Sequence, residues 1–437
     1  MTYKHMDEAW LSAVACLRTW LAGNAGVARV VLAADLFGRL RVILWVSGEA
    51  SEGAGSGLAK LLQDAAGRWW SGDLWVVGGE EEPLHALAWR DATPDQDLPE
   101  RLRLLERHRN RGAWFVDSSE PLWRTRGQDN PEGCPIIVFY SFKGGVGRST
   151  ALAAFAIKRA RRGERVVVMD FDLDAPGIGV LLAADEQGRT AQWGVVDFLL
   201  EREAPGPLSD YYHPCRRPEV VGSGELLVFP AGRLDSAYAG KLARVDLEPP
   251  RSPGETSALH LSLKSIRDDL EPDWILLDAR TGLSEPAGTL LSGLAHLHVL
   301  FGSQSEQSWL GLRVIIERLG SRAVAQDRLQ SDCVLVQAMV PADIEAAKQA
   351  TSSFETRSRD EFSDHFYADS PADDDRFWDL RDLDTEDAPH VPLPLSYELK
   401  LAHFRDVADV ADLLADSTEY DRLAERIAGR FVEASNE

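Results

Sequence analysis

The pattern of hydrophobic and polar positions changes near residue 130. Before that point, apolar residues at helical spacing over 10–21 predict an amphipathic first helix. Two apolar runs, 30–33 and 40–46, are joined by a short connection and predict an antiparallel hairpin. We therefore predict a smaller N-terminal α/β domain over residues 1–128, followed by a polar linker at 129–134.

From residue 135 onwards, apolar runs of strand length alternate with segments of helical pattern. This alternation predicts an α/β domain over residues 135–437, built on a mostly parallel sheet with helices on both faces. Ligands of such sheets bind at the carboxyl ends of the strands. The runs that we assign to strands are 135–140, 165–169, 226–229, 274–277, 296–301 and 333–340.

The region 342–389 interrupts this alternation. It is rich in Asp and Glu, yet it also contains six aromatic residues, which is too many for simple disorder. We interpret it as an acidic insertion that docks on the sheet or on a partner. A solvated surface loop is the alternative.

Composition and charge narrow the functional classes. The net charge of −23 counts against broad nucleic-acid binding, which needs a basic face to neutralise phosphates. The four cysteines form no C-x-x-C pair, so neither a disulfide framework nor a zinc or iron–sulfur site is indicated. No run of 18 or more apolar residues occurs, and the first residues lack the pattern of a signal peptide. We expect a cytoplasmic protein that does not bind membranes.

The strongest chemical motif is the glycine-rich stretch from Lys143 to Thr150, between an apolar strand and an alanine-rich helix. Its glycines allow successive backbone N–H groups to point inwards, and the helix adds the positive end of its dipole. Both features stabilise a bound anion, and a polyphosphate fits them best. The residues that we expect to line this anion are Gly144, Gly145, Val146, Gly147, Arg148, Ser149 and Thr150.

Polar groups suited to magnesium and water lie in the same part of the pattern. Ser149 stands where a hydroxyl would ligate Mg²⁺, and Thr150 can reach an inner phosphate. Asp170 and Asp172 follow one predicted strand, and Asp278 follows another. Carboxylates at such strand ends can hold magnesium-bound water and orient an attacking water, which predicts phosphate chemistry here.

The stretch K-G-G-V-G-R-S resembles the deviant Walker A loop, K-G-G-x-G-K-[ST], of the ParA/MinD group of partitioning and division-site ATPases. The resemblance implies ATP and Mg²⁺ as cofactors and a homodimer around nucleotide, in which Lys143 reaches the partner's ATP. By the same match, Asp172 would position the attacking water. Ser149, Asp170 and Asp278 would hold or support the metal.

The resemblance covers roughly residues 135 to 400 and also suggests contacts to the nucleotide base. In related ATPases the carboxyl end of the strand that we predict over 333–340 reads the purine, so Gln337 is the candidate base contact. Pro394 belongs to a short segment that resembles the one that closes around the base. Arg280 follows the acid of the Walker B pattern and would bring a guanidinium near the γ-phosphate. An arginine finger, a dimer contact and a plain surface residue all remain open for it.

Arg148 replaces the second lysine of the motif. Arginine keeps the charge and forms bidentate bonds to phosphate, but it is bulkier than lysine and less able to follow the γ-phosphoryl group. Nucleotide binding should therefore survive better than turnover, with Lys143, Arg148 and Asp172 as the catalytic candidates. Since the arginine-bearing loop is associated with bacterial conflict and signalling systems, we expect a slowly hydrolysing switch that signals to an unknown protein partner. The N-terminal domain or the acidic insertion would contact that partner.

Two alternatives stay open. Arg148 motivates a catalytically silent scaffold that binds ATP or ADP without turnover. A kinase of the same superfamily, acting on protein tyrosine or on a small molecule, is the other. Its tyrosine-kinase members usually carry a C-terminal tyrosine cluster, and only Tyr420 lies near this C-terminus.

Overall fold

The computed structural model divides the chain into two compact units, residues 1–116 and 117–437. No helix within the described residues is both long and apolar enough to cross a membrane. The residues that the structure describes are 4–35, 38–46, 55, 57–78, 83–106, 114, 121–126, 128–201, 206–245, 247, 257–320, 330–367 and 378–432.

The first unit is built on a mixed sheet of strand order β3-β2-β1-β5-β4. Strands β1 and β2 pair antiparallel, which confirms the predicted hairpin, whereas β1 pairs with β5 in parallel. Its elements are α1 (Met6–Ala22), β1 (Val27–Ala34), β2 (Leu40–Val46), α2 (Leu58–Ala66), β3 (Trp70–Val77), α3 (Pro83–Asp91), β4 (Thr93–Pro94) and β5 (Leu102–Glu106).

The first helix shows how the sequence pattern positions the core of this unit. Trp10, Val14, Leu17 and Leu21 lie on one side of α1 and are buried, as the helical spacing predicts. They belong to one hydrophobic cluster with residues of β1 and β2. The first unit therefore has a core of its own.

The second unit is built on a sheet of strand order β13-β12-β11-β6-β10-β7-β9-β8, in which only the β8–β9 pairing is antiparallel. This confirms the predicted mostly parallel sheet. Its strands are β6 (Ile136–Ser141), β7 (Arg165–Phe171), β8 (His213–Pro214), β9 (Glu225–Phe229), β10 (Trp274–Ala279), β11 (Leu297–Gly302), β12 (Cys333–Val340) and β13 (Leu393–Ser396).

Helices cover both faces of this sheet. Every residue of β6, β10 and β11 is buried, and because side chains alternate between the faces of a strand, both faces must be covered. The helices are α4 (Arg148–Arg161), α5 (Ile178–Leu181), α6 (Val195–Leu200), α7 (Pro218–Val221), α8 (Tyr238–Leu242), α9 (Ala258–Leu270), α10 (Glu285–Leu290), α11 (Glu306–Leu319), α12 (Ile344–His365), α13 (Leu399–His403), α14 (Ala411–Asp416) and α15 (Thr418–Gly429).

The acidic insertion forms the long helix α12 and a short 3₁₀ turn at Leu380–Asp384. Phe354, Phe362 and Phe366 are fully buried, and the Phe354 ring centroid lies 4.7 Å from that of Trp309 on α11. The insertion therefore docks on the second unit as predicted, and its described residues are not a solvated loop. Residues 368–377, which include one of the six aromatic residues of the insertion, lie outside the described residues.

Residues 121–126 and 128–134 belong to the second unit and are bonded to other parts of it. The Trp123 indole donates a hydrogen bond to the Cys134 carbonyl at 2.7 Å, and the Trp123 carbonyl lies 2.8 Å from Nε2 of His296. Arg126 pairs with Asp273 at 2.9 Å. The polar segment that the sequence predicts as a linker, 129–134, thus follows residues that already contact this unit.

Candidate functional site

The glycine-rich loop connects the central strand β6 to helix α4. Gly145 has φ +74° and Gly147 has φ +80°, conformations that favour glycine because they lie in the left-handed region. A Cβ atom added at Gly144, Gly145 or Gly147 would meet no atom within 4 Å, so the loop faces open space. Val146 is buried and anchors the loop, whereas Lys143 is exposed.

The start of α4 supplies donors to the same space. Gly147 occupies the N-cap position, and no described side chain accepts a hydrogen bond at this cap. The first backbone N–H groups of a helix have no partner within the helix, and the helix dipole places positive charge there. The loop and the 14-residue helix together therefore form an anion-binding geometry of the kind that the sequence predicts.

Ser149 and Asp278 meet although they lie 129 residues apart. Strand β10 lies between β6 and β7, in register with both, and this places Asp278 beside Phe139 and Asp170. The Ser149 hydroxyl donates to Oδ2 of Asp278 at 2.7 Å. This pairing of the loop hydroxyl with the acid of the Walker B pattern agrees with the sequence prediction.

Arg148 bonds two of the three acids that the sequence predicts at this site. Its Nε donates to Oδ1 of Asp278 at 2.7 Å, and its Nη2 donates to Oδ2 of Asp172 at 3.2 Å and to the Ser149 hydroxyl at 3.4 Å. The residue is only 6% exposed. Burial disfavours its charge, but Asp278 and Asp172 outweigh that effect and raise the pKa of Arg148, so the guanidinium stays charged. Its Nη1 is buried and has no hydrogen-bond partner among the residues that the structure describes.

Asp170 organises the backbone of the loop that follows β7. Its Oδ1 accepts from the Asp172 amide at 3.1 Å, and its Oδ2 accepts from Gly177 at 3.1 Å and Gly179 at 3.5 Å. Burial, and then the charge of Asp278, raise the pKa of Asp170 to about 7. The carboxyl of Asp170 therefore fixes the position of Asp172.

Arg280 and Asp174 form an ion pair between the loops that follow β10 and β7. Both side chains are about one third exposed. The sequence left an arginine finger near the γ-phosphate, a dimer contact and a plain surface residue open for Arg280, and its pattern did not reveal the pairing with Asp174. Tyr140 of β6 also contacts the loop that follows β10, because its hydroxyl donates to the Gly282 carbonyl at 3.1 Å.

Gln337 and Pro394 lie side by side on β12 and β13. Gln337 is 1% exposed, and its Oε1 has no hydrogen-bond partner within the described part of the chain. Strand β12 is two strands away from β6, which corresponds to roughly 10 Å across the sheet. That separation is comparable to the distance between the phosphates and the base of a nucleotide.

The predicted ligands of magnesium are already engaged by the protein. Both carboxylate oxygens of Asp278 accept hydrogen bonds, from Arg148 and from Ser149, and both oxygens of Asp170 accept from backbone amides. The described residues include no cluster of three or more His, Cys, Asp or Glu side chains that could hold a metal ion. In this arrangement, Ser149, Asp170 and Asp278 do not fit a resident metal ion.

The contacts of Arg148 were also missed by sequence analysis. The motif identified the residue but aimed it at phosphate, whereas its Nε and Nη2 bind carboxylates from two other strands. One signal was available in the sequence: Arg148 stands next to the serine that should pair with the Walker B acid. A guanidinium can form bidentate bonds with carboxylates as well as with phosphates.

Comparison with known proteins agrees with this geometry. Residues 134–200 match the ParA family model, described as NUBPL iron-transfer P-loop NTPase. The predicted resemblance to the ParA group of P-loop NTPases is thus confirmed over these residues. No curated protein matches the chain.

Solved structures similar to the chain include a putative plasmid partition protein, a ParA protein and a septum site-determining protein. A putative plasmid partition protein from Borrelia burgdorferi B31, bound to AMPPNP, is 16% identical, with 68% of this chain and 100% of that chain covered and a TM-score of 0.42. The pNOB8 ParA bound to nonspecific DNA is 16% identical, with 68% and 98% covered and a TM-score of 0.44. The septum site-determining protein MinD from Pyrococcus horikoshii OT3, complexed with Mg-ADP, is 14% identical, with 68% and 94% covered and a TM-score of 0.40.

Proposed function

We propose that the second unit, whose residues 134–200 match a P-loop NTPase of the ParA group, is a nucleotide-dependent switch that binds ATP or ADP. The observation that carries this proposal is the loop itself. Two left-handed glycines, open space before them and the uncapped start of α4 converge on one anion site. The buried Nη1 of Arg148 adds a cationic donor that still lacks a partner within the described chain.

The base of the nucleotide would bind near Gln337 and Pro394. The amide of Gln337 is buried with an unpartnered oxygen, so an exocyclic amino group of a purine would satisfy it. The roughly 10 Å between this point and the loop matches one nucleotide laid across the strand ends. ATP and ADP are the ligands that we propose.

Slow hydrolysis is the expected chemistry. In the proposed reaction, Asp172 orients the attacking water, but here its carboxylate is bonded to Arg148. Magnesium is not part of this proposal, because the three side chains predicted to hold it are bonded within the protein. We do not extend iron transfer to this chain, since its four cysteines share no C-x-x-C pair.

The output of the switch would be assembly with a partner. We propose a homodimer around nucleotide, with Lys143 crossing to the second copy, and signalling to another protein through the N-terminal unit or the acidic insertion. The cytoplasmic location and a role in a bacterial conflict system remain predictions.

A silent nucleotide-binding scaffold is the second candidate, and the bond between Arg148 and Asp172 favours it. Release of phosphate from ATP by the wild type and by Asp172→Ala separates the two functions. A hydrolytic switch should release phosphate above background and lose about 100-fold of that rate in the variant, since general-base and water-positioning groups contribute about that much. Equal release by both proteins, at background, would leave the scaffold.

A further inference from the structure

Arg148 makes contacts that a divalent cation makes in ordinary phosphate-binding loops. There, Mg²⁺ lies between the loop hydroxyl and the Walker B acid and neutralises the phosphates. In this chain, the Arg148 guanidinium bonds Asp278 at 2.7 Å and reaches the Ser149 hydroxyl at 3.4 Å. The loop hydroxyl and the acid are thus both bonded to a cation that belongs to the protein.

One donor of Arg148 meets no acceptor in the part of the chain that the structure describes. Nη1 is buried without a hydrogen-bond partner in the described ranges, and the side chain is 7% exposed. A buried cationic donor without an acceptor is costly, and a phosphate oxygen is the acceptor that a planar guanidinium binds best. Lysine could not make this arrangement, because its single ammonium cannot bond two carboxylates and a phosphate with separate, fixed N–H groups.

We propose that Arg148 is the resident cation of this site, so that the loop binds nucleotide without a divalent metal ion. This inference rests on the proposed function, since it concerns how the same loop holds its ligand. Entry of a metal ion between Ser149 and Asp278 would break the buried Arg148–Asp278 pair and leave the guanidinium without its main counter-charge. Metal-free nucleotide should therefore bind at least as tightly as the magnesium complex.

Calorimetry with ADP as the probe tests this, first with EDTA and then with excess Mg²⁺. The wild type should bind ADP in EDTA with a dissociation constant equal to or below that in magnesium. Arg148→Lys should restore the usual dependence, with binding about tenfold or more tighter in magnesium, because lysine cannot bond Asp278, Asp172 and phosphate together. Arg217→Lys is the matched control, since Arg217 is also buried and paired, with Asp406. It should behave as the wild type does.

Wild-type binding that is about tenfold weaker in EDTA than in magnesium would overturn the inference while leaving the proposed function intact. Absence of ADP binding under both conditions would overturn the proposed function itself. If Arg148→Lys does not fold, electron paramagnetic resonance of Mn²⁺ with the wild type tests the inference instead. The amount of Mn²⁺ bound in a mixture of protein and ADP should then be no greater than the amount bound by ADP alone. Additional uptake at one ion per chain would contradict it.

Discussion

Arg148 is the residue that links the loop to the acids of the neighbouring strands. A phosphate-binding loop ordinarily leaves its basic side chain free to contact phosphate. Here the charge is shared with Asp278 and Asp172, and the pair with Asp278 is buried. Removing one member of such a buried pair leaves an uncompensated charge, so Arg148 and Asp278 should be substituted conservatively in any functional test.

The backbone of the loop gives a separate test at the residue scale. Gly145 and Gly144 both face open space, but only Gly145 has a left-handed φ, of +74°. Gly145→Ala should therefore lower the free energy of unfolding by about 1 kcal/mol, since a Cβ is disfavoured in that conformation. Gly144→Ala should change it by no more than about 0.5 kcal/mol in either direction. Denaturant unfolding measures both, and equal losses would contradict the assigned loop conformation.

At the scale of elements, the insertion helix α12 packs on the second unit through one stripe of buried residues. Its buried residues Phe354, Ser358 and Phe362 recur every four positions and form one stripe along the helix. Glu361 receives two 2.8 Å hydrogen bonds from Arg313 of α11 beside this stripe. The helix is therefore part of the second unit, with its acidic residues mostly on the other side.

This docking can be measured with two substitutions on the same helix. Phe362→Ala should lower the free energy of unfolding by about 3 to 5 kcal/mol, because a fully buried aromatic side chain is replaced by a cavity. Ile344→Ala, at the exposed start of α12 with 78% of the residue accessible, should cost less than about 0.5 kcal/mol. Comparable, small losses for both would show that the helix does not pack as described.

The sheet could be predicted from the sequence because its strands are buried on both faces and appear as continuous apolar runs, as in Trp274–Leu277. The helix α12 was predicted only as an acidic insertion, since its apolar stripe is narrow among many charged residues. The Arg280–Asp174 pair and the contacts of Arg148 depend on which strands become neighbours. Local pattern does not encode that order, so these contacts needed the structure.

At the scale of the whole molecule, the two units have separate cores, and the predicted site residues belong to one of them. The second unit carries the loop and every predicted site residue, whereas the first unit has its own sheet and hydrophobic cluster. Selection of a partner by the first unit remains a proposal. Its direct consequence is that nucleotide binding should depend only on residues of the second unit.

Assembly around nucleotide is the prediction that belongs to this scale. Lys143 is exposed, and within the described residues its ammonium makes no ion pair, so it is available to a second copy. Light scattering should show the wild type changing from one chain to two when ATP is added, and Lys143→Ala staying at one. Lys400→Ala removes an exposed lysine from α13 and should dimerise normally. A dimer that forms equally well without nucleotide would contradict the switch.

The measurement that tests the central claim most directly is calorimetry of ATP and ADP binding, with and without magnesium, to matched charge variants. Gly144→Asp places a carboxylate in the open space of the loop at a position of ordinary φ, and Gly429→Asp adds the same charge at the exposed end of α15. We expect the wild type and Gly429→Asp to bind nucleotide alike, and Gly144→Asp to bind at least about tenfold more weakly because like charges repel. No heat of binding to the wild type under any of these conditions, or equal affinity for Gly144→Asp, would contradict a nucleotide site at this loop.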